Sequence, residues 1–335
     1  MERPCVRVPR EAGERTRQAL ADADLVDEDH EIVVEDDALY LPVTDPEAVA
    51  DDYEVVSRDV PTHDSQRTPA DLLGFDPSYE RLGDVAILDS DDPERADRIA
   101  DAILESDLPV RAVIDRASKV KGDLRVRDWT VLATDPEAAV DHSATETVHR
   151  EYGFEYLLDL ADVYFSPRLA TERHRVTEAV ADGERAVDMF AGVGPFAVPM
   201  AARGATVVGV DLNPAAVEYL RENARRNDVA DRVTAIEGDV RDVASDYADW
   251  ADRLVMNLPH SADDFLDAAV TLAGETCVLH YYDIQHEDDP FGPGEAAIRE
   301  TAAPAGYDVE VLTRHVVRSY APHELNVCLD VRLSR

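Results

Sequence analysis

Lysine is almost missing from this chain. Of 33 basic residues in 335, only Lys119 and Lys121 are lysines and the other 31 are arginines. Cysteine is nearly as scarce: Cys5, Cys277 and Cys328 are scattered and form no Cys-x-x-Cys pair. That excludes a disulfide framework and a cysteine-based zinc site. No apolar run approaches the roughly 18 residues that a membrane helix needs. The opening Met-Glu-Arg-Pro-Cys has neither the basic end nor the apolar stretch of a secretion signal. No repeat of 20–50 residues is visible. A cytoplasmic protein without a membrane partner is expected.

What the chain has in excess is acid: 72 Asp and Glu give a formal net charge of −39. At 45% hydrophobic it is too apolar for a disordered acidic tail. The acid is spread along the whole length, as in proteins of salt-saturated cytoplasm, where carboxylates hold water and ions. A competing reading is a protein that binds cations or basic partners. Self-repulsion at this charge destabilises a compact state unless salt screens it. Net charge therefore excludes no nucleic-acid partner, and local charge decides. In residues 111–127, six basic side chains (Arg111, Arg116, Lys119, Lys121, Arg125 and Arg127) face only Asp115 and Asp123. This is the footprint expected for phosphates, or else a solvated strand face.

The length suggests about two domains at roughly 150 residues each. The patterning suggests divisions at 1–58, 68–115 and 116–335. In the first, Arg10–Ala23 has a weak helical pattern, and two apolar runs joined by Glu35-Asp36-Asp37 look like a hairpin. In the second, Asp84–Leu88 and Pro109–Ile114 read as strands around a helix from Pro93 to Leu104. From about 185 strands alternate with helices, as in a doubly wound α/β sheet of Rossmann-like type. The strands read Arg185–Phe190, Ala205–Asp211, Val233–Glu237, Arg253–Asn257 and Cys277–Tyr282. Two long β runs, Val309–Val317 and Asn326–Leu333, suit an antiparallel hairpin at the sheet edge.

The first strand closes in Asp188-Met-Phe-Ala-Gly192-Val-Gly194-Pro-Phe196. Glycines there let the backbone approach a ligand, and the next helix offers its N-terminus. Asp211 ends the second strand, where a carboxylate accepts both ribose hydroxyls. The turn also reads as G-x-G-x-x-A with Ala197 last, a dinucleotide fingerprint. Two features favour S-adenosyl-L-methionine over NAD: Asp188, placed for a methionine ammonium, and Gly238-Asp239-Val240, placed for an adenine edge. The plain alternative is a structural glycine turn with capping acids. Strand four ends in Asn257-Leu258-Pro259-His260, a rigid turn able to aim an amide at a planar base. His260 and His280 have no companion at metal spacing, so no metal is expected.

Val163-Tyr-Phe-Ser-Pro-Arg-Leu-Ala-Thr-Glu-Arg173, the glycine turn, Asn-Leu-Pro and Arg318-Ser-Tyr-Ala-Pro322 follow in that order. Together they resemble the archaeal and eukaryotic tRNA (guanine-37-N1) methyltransferases. The resemblance implies a class I methyltransferase sheet and methyl transfer from S-adenosyl-L-methionine to N1 of the guanosine 3′ of the anticodon. It implies Arg173, Asp211 with Leu212, Asp239 with Val240, and Asn257 as cofactor contacts. Glu172 becomes the proton acceptor, Tyr164 a base contact, and Arg125 the charge stabiliser. The stretch Ala133–Thr145 looks longer than the family's loop, so Arg127 is the alternative to Arg125. The N-terminal module looks like an extra RNA-binding domain, placed for the tRNA elbow, with the catalytic domain on the anticodon loop and the protein a monomer. The rivals are aminocarboxypropyl transfer to a wyosine-pathway base by a sister family, methylation of a wyosine intermediate, an NAD oxidoreductase, and a non-catalytic RNA-binding module.

The chemistry asks for the same residue types. Guanine N1 holds a proton near neutrality, and a carboxylate within reach can take it. Charge then grows on O6, where a guanidinium stabilises it. From spacing alone, Glu172 is equally a helix acid pairing with Arg175 or His174.

Overall fold

The computed structural model describes all residues except 1, 36, 51, 63–65, 123 and 137–142. The expected turn residue Asp36, the acidic Asp123 and much of the long stretch 133–145 thus lie outside the described residues. The chain divides into two compact units, Met1–Thr68 and Pro69–Arg335.

The first unit is a four-stranded sheet in the order β2-β3-β1-β4, with β1 Glu2–Pro9, β2 Val33–Glu35, β3 Ala38–Pro42 and β4 Glu54–Asp59. The expected hairpin is β2-β3, in register Val33↔Tyr40. Helix α1, Gly13–Asp22, starts three residues later than its pattern suggested, after a 3-10 turn at Arg10–Ala12. Val6, Val8, Leu20 and Leu41 form the core.

The second unit opens with α2 (Pro69–Leu73) and a small sheet: β5 Glu80–Leu82, β6 Val85–Leu88, β7 Ala112–Arg116 and β8 Trp129–Thr134. Helix α3, Pro93–Glu105, makes the parallel β6–β7 crossover. Asp92 caps it by accepting from the Arg95 N–H at 3.2 Å, and Pro93 fills its first turn. The division expected at 115/116 falls inside β7, and β8 then pairs antiparallel with that strand. The small sheet cannot be cut there, and residues 69–335 form one unit.

A hairpin, β9 Glu146–Glu151 and β10 Phe154–Asp159, leads through helix α4 (Ala170–Glu178) to the main sheet. Its seven strands run β13-β12-β11-β14-β15-β17-β16. They are β11 Arg185–Asp188, β12 Thr206–Asp211, β13 Val233–Glu237, β14 Ala251–Met256, β15 Ala273–His286, β16 Asp308–Ala321 and β17 Glu324–Ser334. The first five are parallel, and β17 is antiparallel to both its neighbours. Helices α5 (Ala197–Ala202), α6 (Pro214–Arg226), α7 (Val240–Val243), α8 (Leu266–Leu272) and α9 (Gly292–Ala302) complete the unit. Alternate strand residues serve opposite faces: Ala186 and Val207 join the core under α5 and α6, Val187 and Val208 the core under α8 and α9. Asn213 caps α6 by accepting from the Ala215 N–H at 3.0 Å, and Val217, Leu220 and Ala224 are buried on one face. Strand order reverses between β11 and β14, so their carboxyl ends splay and leave a crevice. Among the described residues no helix is long and apolar enough to cross a membrane.

Candidate active site

The crevice is an open cavity of about 1360 Å³. A single small-ligand pocket holds roughly 300–1,000 Å³, so there is room for a cofactor and a second reactant. Three walls meet. The strand ends supply Gly192, Asp211, Leu212, Asp239, Val240, Asn257 and Pro259. The segment around β8 and the approach to α4 supply Lys119, Arg125, Arg127 and Tyr164; the β16–β17 hairpin supplies Arg318, Tyr320 and Asn326.

The first wall is built by backbone. Gly192 sits at φ 52°, which a side chain would resist. Its N–H donates to Asp211 Oδ2 at 2.7 Å, and the Asn213 N–H donates to Oδ1 at 2.9 Å. Burial pushes the Asp211 carboxyl up, and these two amides pull it back towards the ionised form. The carboxylate is thereby fixed at the β12 end with lone pairs left for a diol. Asp239 caps α7 by accepting from the Arg241 N–H, and the Arg241 guanidinium on it holds its carboxyl below the usual range. Gly194, by contrast, does not line the cavity. At φ 93° it lets the turn pack on α6, where a Cβ would stand 2.5 Å from Leu220 Cδ1.

Asp188 lies just behind the lining residues Met189 and Phe190, with no exposed surface. Among the described residues neither of its oxygens has a hydrogen-bond partner in good geometry, and burial pushes its carboxyl up to about 7. A buried carboxylate without a partner is costly. A ligand ammonium would be that partner, as S-adenosyl-L-methionine provides and a nicotinamide dinucleotide does not.

On the second wall, the Arg125 guanidinium stands 5.3 Å from the centre of the Tyr164 ring, and Arg127 stands 5.4 Å from that of Trp129. Both arginines left open by the sequence line the cavity; Arg125 is the one stacked on Tyr164. The basic window shrinks, however. Arg111 is buried on Asp84 at 2.9 Å, Arg116 is held by Glu80 and Asp89, and Lys121 pairs with Asp128. Lys119, Arg125 and Arg127 carry what remains of it at the cavity. At the β14 end, Ile284 donates its N–H to Pro259 O at 3.1 Å, fastening the Asn-Leu-Pro turn to β15.

Glu172 and Arg173 are not in the lining. The Arg173 guanidinium donates to Glu151 at 2.8 and 2.5 Å and to Ser166 O at 3.1 Å. This side chain, expected on the cofactor, instead ties α4 to β9 as a buried pair. Glu172 lies three residues after the lining residue Leu169 and is 5% exposed. Its carboxylate accepts from Arg175 Nε and Nη2 at 2.8 Å each, from the Tyr282 hydroxyl at 2.8 Å, and lies 3.2 Å from His315 Nε2. The pairing with Arg175 is the one the spacing allowed.

Tyr282 and His315 were missed because they reach Glu172 from strands far away in sequence. So was the setting of His280. The β15–β17 register places it opposite Asp330, and His280, Cys328 and Asp330 offer donor atoms within 4.8 Å of one another. Arg253 Nη1 lies 2.6 Å from His280 Nε2, and Arg175 Nη1 donates to Asp330 at 2.6 Å. Burial opposes it, but His280 and Arg175 still hold the Asp330 carboxyl well below the usual range. Two guanidiniums thus fill a trio that could otherwise take a cation, making it a buried hydrogen-bond network.

Sheet order, glycine turn and an Asn-Leu-Pro turn at the switch point define a Rossmann-like methyltransferase. Two family models match: the TRM5/TYW2 methyltransferase domain over residues 147–310 and the tRNA methyltransferase 5 N-terminal domain over residues 5–51. The tRNA (guanine(37)-N(1))-methyltransferase Trm5b of Pyrococcus abyssi is 39% identical, over 98% of each chain. A solved complex of aTrm5 and tRNALeu matches 98% of this chain and 99% of its own, at 31% identity and TM-score 0.72. The M. jannaschii TYW2 structure in complex with AdoMet matches 77% of this chain and 100% of its own, at 26% identity and TM-score 0.61. The chain belongs to the tRNA (guanine(37)-N(1))-methyltransferase family.

Proposed function

We propose that this protein transfers a methyl group from S-adenosyl-L-methionine to N1 of guanosine 37 in tRNA, the base 3′ of the anticodon. The observation that carries the reading is that the Asn257-Leu258-Pro259 turn shares one cavity with Asp211 and with the Arg125–Tyr164 stack. Base positioning, cofactor binding and charge stabilisation then converge on one space. The match to the tRNA methyltransferase 5 N-terminal domain, and coverage of both ends of the P. abyssi relative, favour it over aminocarboxypropyl transfer.

When bound, the cofactor supplies an activated methyl on a sulfonium, and the chain positions and deprotonates the acceptor. Asp211 holds the ribose hydroxyls, Asp239 and Val240 read the adenine edge, and Asp188 receives the ammonium. Tyr164 stacks on the target base while Asn257 and Pro259 set its plane. Glu172 takes the N1 proton, and Arg125 stabilises the charge that grows on O6. Glu172 reaches the base as the substrate closes the site, since catalytic hydrogen bonds often tighten only in the complex. The first unit is assigned to the tRNA elbow, the working form to a monomer, and the place of action to the cytoplasm.

Incubation with methyl-labelled cofactor and tRNA transcripts bearing G37 or A37, followed by nucleoside identification, tests the reading. Label in 1-methylguanosine from the G37 transcript alone is expected. Label in another nucleoside, or transfer of the larger aminocarboxypropyl group, overturns it.

A further inference from the structure

We infer that His315 carries away the proton that Glu172 takes from the base, an inference that rests on the assignment of Glu172 above. Glu172 is closely enclosed. Its side chain is 4% exposed and it lines no part of the cavity, so an open site alone gives water little access to either oxygen. A carboxylate that collects one proton per turnover needs an exit.

Among the described residues three side chains hydrogen-bond or pair with it. The Arg175 guanidinium does not deprotonate in proteins and is fixed between Glu172 and Asp330. Tyr282 is 1% exposed and already donates its hydroxyl to Glu172 Oε1; burial drives its pKa well above the ordinary phenol value. His315 differs from both. It sits on β16 with Nε2 3.2 Å from Glu172 Oε2, and its side chain is 39% exposed. Imidazoles titrate near neutrality and serve as proton shuttles. Among the described partners of Glu172, this ring joins a titratable nitrogen to solvent.

The surroundings favour passage. Glu172 and Arg175 face the ring's neighbourhood from α4, Cys328 stands opposite His315 in the β16–β17 register, Asp330 follows on β17, and Tyr282 comes from β15. The exposed part of the ring lets the proton move on to water. The balance is simple. The N1–H pair becomes the N1–CH3 bond as the S–CH3 bond breaks, and the N1 proton goes to Glu172. It then passes from Oε2 to a His315 Nε2 that carries no hydrogen, the Nδ1 proton leaves to water, and exchange of tautomers through solvent returns the ring to its starting form.

The test follows the full-length enzyme through its first and later turnovers on G37 tRNA by rapid quench. His315→Ala and His315→Gln are both expected to slow later turnovers about tenfold more than the first. Added imidazole should restore His315→Ala while the same concentration of sodium chloride does not. Later turnovers that keep pace with the first, or a slowing indifferent to imidazole, overturn the relay. So does a His315→Gln enzyme with wild-type later turnovers, because glutamine can donate to Glu172 but cannot pass a proton. Glu172→Gln in the same assay separates the two readings: a wild-type first turnover there removes the base itself, not merely its exit.

Discussion

At Asp188 burial sets the stability of the fold against the ionised form of the carboxyl. Its folded carboxyl titrates at about 7, raised by burial, whereas the unfolded chain's titrates near the usual 3.8. Between those values the native state holds a proton that the unfolded state has lost, so stability falls as pH rises through this window. Asp188→Asn removes that loss. The variant is expected to melt higher than wild type at pH 8 without cofactor, yet to bind S-adenosyl-L-methionine more weakly. Paired melting curves and calorimetry at pH 5 and pH 8 check both signs; a stabilised variant with unchanged affinity would leave Asp188 without a ligand. At Asp211 both effects point the same way. Asp211→Ala releases the Gly192 amide and, on the function proposed above, the ribose hydroxyls as well, so affinity should fall by about 1.5–3 kcal/mol by calorimetry. For Glu172→Gln, a single-turnover rate reduced about 10²–10⁴-fold with cofactor affinity little changed is expected. A rate near that of wild type would make this carboxylate a plain anchor for Arg175.

Among the elements, α6 joins the glycine turn to the β9–β10 hairpin through the Asn223 amide. Asn223, with no exposed surface, accepts from the Leu157 N–H at 2.7 Å and donates to Leu157 O and Val193 O at 3.0 and 2.9 Å. Asn223→Ala leaves three backbone groups unpaired, a loss of roughly 2–4 kcal/mol in denaturant unfolding. Because Val193 lies in the glycine turn, cofactor affinity should weaken as well. Four of the five parallel strands were legible because each is a short run of four to six residues, as in Thr206–Asp211 followed by Asn213-Pro214. The lining residues at their ends were legible for the same reason, since their position follows from strand order. β1 and β4 were not: Pro4 and Pro9 break the first, and alternating exposed residues dilute the second. Nor could spacing show that Arg173 turns to Glu151, or that Glu172 meets Tyr282 and His315. Those contacts span 22, 110 and 143 positions and depend on how separate strands pack.

For the molecule as a whole, two salt effects oppose each other. Counterion release weakens tRNA binding as salt rises, while a net charge of −39 makes the fold itself need screening. Activity is therefore expected to rise from low salt and persist at molar salt, carried by stacking and planar arginine contacts. Lys121 already pairs with Asp128, so among the lysines the salt-dependent loss should fall on Lys119, which lines the cavity. Arg125→Lys keeps the charge but loses the stacked guanidinium plane, and should lower single-turnover methylation at every salt concentration. An Arg125 defect that disappears at molar salt would reduce this residue to a phosphate contact.

The position of β17 bears on how the enzyme comes into being. β16 is made before β17 but reaches the sheet only through it. The same strand brings Asn326 to the cavity and Asp330 to the Arg175 that moors Glu172. A nascent chain that has formed every parallel strand still has an unpaired β15 flank, an Arg175 without its Asp330 partner and one cavity wall missing. Sheet closure and completion of the cavity wall thus depend on the same strand.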